Sequence, residues 1–149
     1  PMAEAITEGF DQILWLDGQT HQYAEEAGQM NVFFRIGDEV ITPELSGTIL
    51  PGVTRDSVIQ LLSDWGYTVS TRQVSIQELK SASDAGILNE MFGAGTAAVI
   101  APIQSITLHD EELSVNAPNG PELSKRLLDT ILGIQHGTIA DTHGWTVKI

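Results

Sequence analysis

Apolar positions along the chain switch repeatedly between two periods. Val58, Leu61, Leu62 and Trp65 fall at the i, i+3, i+4, i+7 spacing of one buried helix face, which predicts a helix over 51–65. Leu123, Leu127, Leu128 and Ile131 repeat that spacing after Asn119-Gly120-Pro121, where a proline suits a first helical turn. Ser75 with Glu78 has the form of a capping box and predicts a short helix to about Ala85. MAEAITEGF (2–10) is also helix-like. Between these stretches the pattern is extended: QILWLD (12–17), a run over about 22–27, and MNVFFRI (30–36). Gly37-Asp38 predicts a hairpin into EVITPEL (39–45). YTVSTRQVS (67–75), ILNEMFG (87–93) and TAAVIAPIQSITL (96–108) are strand-like, the last two split by Gly93-Ala94-Gly95; ELSVN (112–116) completes a hairpin around Asp110-Glu111. Many short strands among three helices, without regular βαβ alternation, predict an α+β fold with a mixed or barrel-like sheet and flanking helices. No internal repeat or low-complexity linker interrupts the chain.

Composition narrows the function. At 149 residues and 42% hydrophobic, the chain suffices for one packed domain and is short for two. No run approaches the roughly 18 apolar residues of a membrane span and no signal segment opens the chain, so a cytoplasmic setting is expected and a membrane partner is not. A net charge of −13 argues against a nucleic-acid partner, which needs a basic face. There is no cysteine, which removes disulfides and thiolate chemistry. His21, His109, His136 and His143 lack HxxxH or HExxH spacing, so no metal site is expected; His109, beside Asp110, reads as a solvated turn residue. The phosphate loops GxGxxG and GxxxxGKS and the nucleophile motif GxSxG are missing. The opening Pro1-Met2, running straight into a helical pattern, reads as the interior of a longer protein.

Three stretches could carry chemistry. In GTILPGVTRDSVIQLL (47–62) the Pro51-Gly52 elbow opens a helix whose first-turn N–H groups and dipole suit an anion. In NEMFGAGTAAVIAP (89–102) a small-residue turn, Gly93 to Ala98, offers bare N–H groups and one hydroxyl, again suited to an oxyanion. In YAEEAGQMNVFF (23–34), Glu25 and Glu26 would face opposite sides of a strand, and the inward one would need a cationic partner such as a protonated ring nitrogen. An ordinary helix entry, an ordinary hairpin and two surface charges are the plain alternatives.

Taken in order, QILWLDG, EEAGQMNVFF, GTILPGVTRDSV, EMFGAGTAAVIAPI and NGPELSKRLLDTILGIQHG resemble the branched-chain amino acid aminotransferases, fold-type IV enzymes that use pyridoxal 5'-phosphate. The resemblance covers nearly the whole chain and implies most of the larger, C-terminal cofactor-binding domain over 1–149. It implies that Glu26 pairs with the protonated pyridine nitrogen, that Val53 and Thr54 hold the cofactor phosphate with Thr96 as a further ligand, and that N–H groups around Thr96 and Ala97 receive the substrate α-carboxylate. Substrates would be leucine, isoleucine or valine and 2-oxoglutarate, and the enzyme a homodimer. A D-amino acid aminotransferase or aminodeoxychorismate lyase of the same fold, or an anion-binding module without catalysis, are the alternatives. Ala98 and Ala101 stand where some eukaryotic members carry a Cys-x-x-Cys pair, and Gln29 where those members have threonine. The family's Schiff-base lysine precedes a Gly-Gly-Asn-Tyr stretch, which would lie upstream of Pro1. Lys80, Lys125 and Lys148 match no such motif, so no catalytic residue is expected in this segment, and the segment alone is expected to be inactive.

Overall fold

The computed structural model describes residues 2–149; Pro1 lies outside it. After a short helix α1 (Met2–Thr7) the chain builds one mixed sheet from β1 (Leu14–Leu16), β2 (Ala24–Ala27), β3 (Met30–Ile36), β4 (Glu39–Thr42), β5 (Thr68–Thr71), β6 (Leu88–Gly95) and β7 (Val99–Ile103). Helices α2 (Val53–Asp64), α3 (Ile76–Asp84) and α4 (Glu122–Gln135) flank it, and β8 (Ser105–Leu108) with β9 (Glu111–Ser114) forms a separate hairpin. This is the expected α+β arrangement.

The seven-residue β3 is the spine of the sheet. One of its edges pairs along nearly its whole length with β6, while the other is shared by β2 at its start and β4 at its end. All these pairings are antiparallel; β4 and β5 are parallel, since helix α2 forms the crossover between them. β3 is buried on both faces, which explains its unbroken apolar run Val32-Phe33-Phe34. On one face Phe33 and Phe92 stack with centroids 5.0 Å apart, and Val58, Leu61, Leu62, Leu123, Leu127 and Ile131 from α2 and α4 close over them. The predicted apolar faces of both helices are therefore the ones that pack, with Trp65 and Leu128 half-buried at their margins. On the other face Val32, Phe34, Ile41 and Met91 meet Leu79 and Ala82 of α3 and Leu113 of β9.

Local signals hold where their partners are local. Gly37, at φ 57°, makes the two-residue turn between Ile36 and Glu39. His109 and Asp110, at φ 46° and 66°, make the β8–β9 turn and are exposed. Ser75 Oγ accepts the Glu78 N–H at 3.0 Å, but the reciprocal half of the box is diverted: the Glu78 carboxylate pairs with Arg72 at 2.6 Å, and Arg72 also meets Glu39 at 3.3 Å.

Two expectations fail. Gly93-Ala94-Gly95 is not a turn but the end of β6, and the turn proper is Thr96-Ala97-Ala98. Strand β6 can run on because Met30 fills the space the glycines leave: a Cβ on Gly93 would meet Met30 Cε at 2.8 Å, and one on Gly95 would meet Cγ at 3.0 Å. TAAVIAPIQSITL is also not one strand. It breaks at Gln104 into β7, in the main sheet, and β8, in the hairpin.

Candidate functional site

The first turn of α2 is bare of side-chain caps. Gly52 occupies the N-cap in an extended conformation (φ −68°, ψ 137°) and supplies no side chain, and the first helical bond runs from the Asp56 N–H to the Gly52 carbonyl at 3.1 Å. The amides of Val53, Thr54 and Arg55 thus precede the helical ladder, and the positive end of the helix dipole faces outward with them. Val53 is 84% exposed. Thr54 turns inward, its hydroxyl 3.5 Å from the Gly95 carbonyl, so the elbow sits directly beside the end of β6.

From Gly95 the chain passes into the exposed turn Thr96-Ala97-Ala98 and back into β7 at Val99. Val99 is held at φ 59°, a left-handed conformation that costs a β-branched residue on the order of 1–3 kcal/mol. Its side chain is half-buried against the α2–α4 cluster, which holds it there.

Glu26 reaches the same corner from β2. Its Oε1 accepts the Leu50 N–H at 3.2 Å, just ahead of the elbow. The expected alternation of Glu25 and Glu26 fails, because β2 bulges there: Ala24 opposes Leu16 and Glu26 opposes Trp15, leaving Glu25 as the extra residue. Both carboxylates are half-buried, and both meet the 46–50 loop, with Glu25 Oε1 accepting the Thr48 hydroxyl at 3.0 Å. No lysine or arginine among the described residues forms an ion pair with Glu26.

Glu26, Val53, Thr54, Thr96 and Ala97 therefore gather at one corner of the sheet, an open shelf of helix and turn amides and two threonine hydroxyls with a carboxylate beside them. Arg55 adds charge beneath it. Its side chain is 7% exposed, Nη2 donates to the Pro43 carbonyl at 3.0 Å, and Nε has no partner among the described residues. Burial pulls its pKa below the ordinary arginine value, yet a guanidinium stays protonated at neutral pH, so one buried positive charge sits at the start of α2. Such a shelf can hold a phosphate or a carboxylate at the amides and a cationic group at Glu26.

The three lysines lie elsewhere: Lys80 pairs with Glu111, Lys125 with Asp129 at 2.7 Å one helical turn on, and Lys148 is exposed near the end of the chain. Among the described residues no cluster of three or more His, Asp or Glu could hold a metal ion. Among those residues, too, no helix is long and apolar enough to cross a membrane.

Residues 1–106 match the family model described as amino-transferase class IV. The chain belongs to that family. Among class IV aminotransferase relatives, branched-chain-amino-acid aminotransferase 2 of Bacillus subtilis is 51% identical over 145 residues, covering 97% of this chain and 40% of its own length. The branched-chain-amino-acid aminotransferase of Mycolicibacterium smegmatis is 44% identical, covering 99% of this chain and 41% of its own length. The chain thus spans about two fifths of the curated relatives it matches. Its fold is that of the solved fold-type IV enzymes. The branched-chain amino acid aminotransferase from Escherichia coli superposes with a TM-score of 0.75 at 26% identity, over 96% of this chain and 44% of that one. A second solved branched-chain amino acid aminotransferase, complexed with N-(5'-phosphopyridoxyl)-L-glutamate, superposes with a TM-score of 0.79 at 29% identity, over the same shares.

Glu90 is the residue that the sequence reading passed over. It lies in β6, 4% exposed, and its carboxylate caps α4 from the sheet: Oε1 accepts the Leu123 N–H at 2.8 Å, while Oε2 accepts the Ser124 N–H at 3.0 Å and its hydroxyl at 2.8 Å. Arg35 stands 3.7 Å away. Two surface grooves flank this carboxylate, at the far end of β6 from the shelf, and contain none of the five predicted residues. The one signal for Glu90 in the sequence is a carboxylate directly before the apolar run Met91-Phe92 of its strand.

Proposed function

We propose that this chain is the C-terminal, cofactor-cradling part of a branched-chain amino acid aminotransferase that exchanges an amino group between leucine, isoleucine or valine and 2-oxoglutarate. The observation that carries this reading is the gathering of Glu26, the α2 N-terminus and the Thr96–Ala97 turn at one corner of a class IV aminotransferase fold. The names of relatives 44–51% identical along nearly the whole chain support the substrate class.

The residues present fit pyridoxal 5'-phosphate. The amides of Val53 and Thr54 and the hydroxyls of Thr54 and Thr96 would hold its phosphate, a dianion at neutral pH. Glu26, which forms no ion pair with a lysine or arginine among the described residues, would hold the proton on the pyridine nitrogen. When bound, the cofactor supplies the electron sink that makes the substrate α-proton labile. The amides of Thr96 and Ala97 orient the substrate through its α-carboxylate, leaving the side chain to be sorted by other walls of the site. Lys80 and Lys125 are engaged with Glu111 and Asp129, and none of the three lysines matches the family's Schiff-base motif, which supports a covalent anchor supplied by another segment of the full-length enzyme. The full-length enzyme is proposed to be a cytoplasmic homodimer.

The test is a comparison of amino donors. The full-length protein loaded with cofactor should consume L-leucine, L-isoleucine and L-valine with 2-oxoglutarate as acceptor, and turn over neither D-alanine nor aminodeoxychorismate at a comparable rate. Preference for either of the latter would move the protein to another branch of the same fold, and no activity on any of them would leave an anion-binding module.

A further inference from the structure

Leu50 is tied down at both polar groups of its backbone. Its N–H donates to Glu26 Oε1 at 3.2 Å, and its carbonyl accepts the Asn31 side-chain amide at 2.8 Å. The same carbonyl receives the Gly52 N–H at 2.9 Å, which closes the tight turn ahead of α2. Glu26 and Asn31 are direct cross-strand neighbours on β2 and β3, and Asn31 in turn opposes Ala94, just before the Gly95 carbonyl that faces Thr54. Asn31 is 5% exposed, and a buried amide persists in a core only when its hydrogen bonds are made. Its oxygen is committed in space as well: a Cβ built on Gly52 would lie 2.4 Å from Asn31 Oδ1. The elbow therefore approaches this side chain so closely that any Cβ at Gly52 would have to displace the Asn31 amide.

We propose that Asn31 is a positioning residue for the anion shelf: by gripping the Leu50 carbonyl and seating Gly52, it fixes the α2 N-terminus in register with Glu26. The inference rests on the cofactor reading above. Leu50 becomes the rigid link between the two ends of the cofactor, with Glu26 at the ring nitrogen and the amides of Val53 and Thr54 at the phosphate. A buried asparagine serving the fold alone would stabilise the protein without distinguishing ligands that carry a phosphate from ligands that do not.

The experiment uses the full-length apoenzyme with Asn31→Ala, Gly52→Ala and the double variant. Binding of pyridoxal 5'-phosphate and of pyridoxal, which lacks the phosphate, is titrated alongside the melting temperature of each apoprotein. Asn31→Ala should weaken pyridoxal phosphate about tenfold, the worth of one ordinary hydrogen bond, while pyridoxal binding changes by less than about twofold. Gly52→Ala should weaken it by at least about tenfold in the parent and add almost nothing when Asn31 is already alanine, because the steric conflict has gone. Equal losses for both ligands, an Asn31→Ala affinity within about twofold of the parent, or a Gly52→Ala penalty that is the same in both backgrounds would each overturn the role of Asn31. Failure of the parent itself to take up pyridoxal phosphate would instead refute the cofactor reading, and the proposal with it.

Discussion

Removing the charge of Glu90 should unseat helix α4. In Glu90→Gln the volume stays the same, but a carboxylate that accepts from the Leu123 N–H, the Ser124 N–H and the Ser124 hydroxyl becomes an amide with one acceptor oxygen. The new NH2 group faces donors, so at least one buried N–H of the first turn loses its partner. A hydrogen bond to a charged group is worth about 1.5–3 kcal/mol and helix-dipole stabilisation up to about 2 kcal/mol, though the contributions overlap because they share one charge. Arg35, 3.7 Å away and partly solvated, loses some of its compensation as well. A net loss of about 2–4 kcal/mol follows, and truncation in Glu90→Ala should cost about 3–5 kcal/mol. The control is Asp129→Asn, which breaks the Lys125 pair on the exposed face of the same helix and should cost no more than about 0.5 kcal/mol. The assay is native-state amide exchange on the full-length protein, read at Leu123, Ser124 and the turn that follows, because α4 can open before the molecule unfolds globally. A drop in protection confined to α4, matched by a melting temperature lower by about 2–4 °C per kcal/mol, is the expected result. Glu90→Gln exchange indistinguishable from that of Asp129→Asn would refute the claim that the carboxylate holds the helix.

Glu26→Gln should lower turnover of the full-length enzyme by at least about 100-fold while cofactor is retained, because a neutral amide cannot keep the ring nitrogen protonated; near-normal turnover with cofactor bound would remove Glu26 from that role. Thr54→Ala should weaken cofactor retention by roughly 1.5–3 kcal/mol, whereas Ala97→Pro, which deletes one N–H of the turn, should raise KM for leucine; identical defects in the two variants would deny the division between phosphate and carboxylate. Asp141 accepts the Thr146 N–H at 2.7 Å, the Thr146 hydroxyl at 2.9 Å and the His143 N–H at 3.1 Å, and these bonds hold its carboxyl at about 2, below the usual value of 3.8. With the folded pKa below the unfolded one, the loop's stabilisation is complete above about pH 4 and is lost as pH falls through about 2. Amide protection of Thr146 should therefore persist at pH 4 and fall as pH drops through about 2, and Asp141→Ala, which leaves no acceptor, should abolish it at every pH.

What the sequence determined by itself is whatever a short window encodes. The i, i+3, i+4, i+7 rows of α2 and α4 place their own apolar faces, since helical period alone decides which side chains share a side. Gly37 sets its hairpin because only a residue at ease with positive φ fits there, and Ser75 starts α3 by capping three residues ahead. The resemblance carried by the ordered motifs implies roles for Glu26, Val53, Thr54, Thr96 and Ala97, but it does not state that they share a corner of the sheet. Tertiary structure decided the rest. The bulge that leaves Glu25 unpaired and carries both carboxylates to one loop depends on the register of β1 against β2, which no local pattern states. Gly93 and Gly95 read as a ligand-facing turn until Met30, from the neighbouring strand, is found filling their space. Asn31 looks like an ordinary polar residue in a strand until Leu50, 19 residues on, comes down upon it. Glu90 caps a helix that begins 32 residues later. In each case the deciding partner is distant in sequence, and a buried polar group or an empty glycine face takes its meaning only from the atoms that folding brings against it.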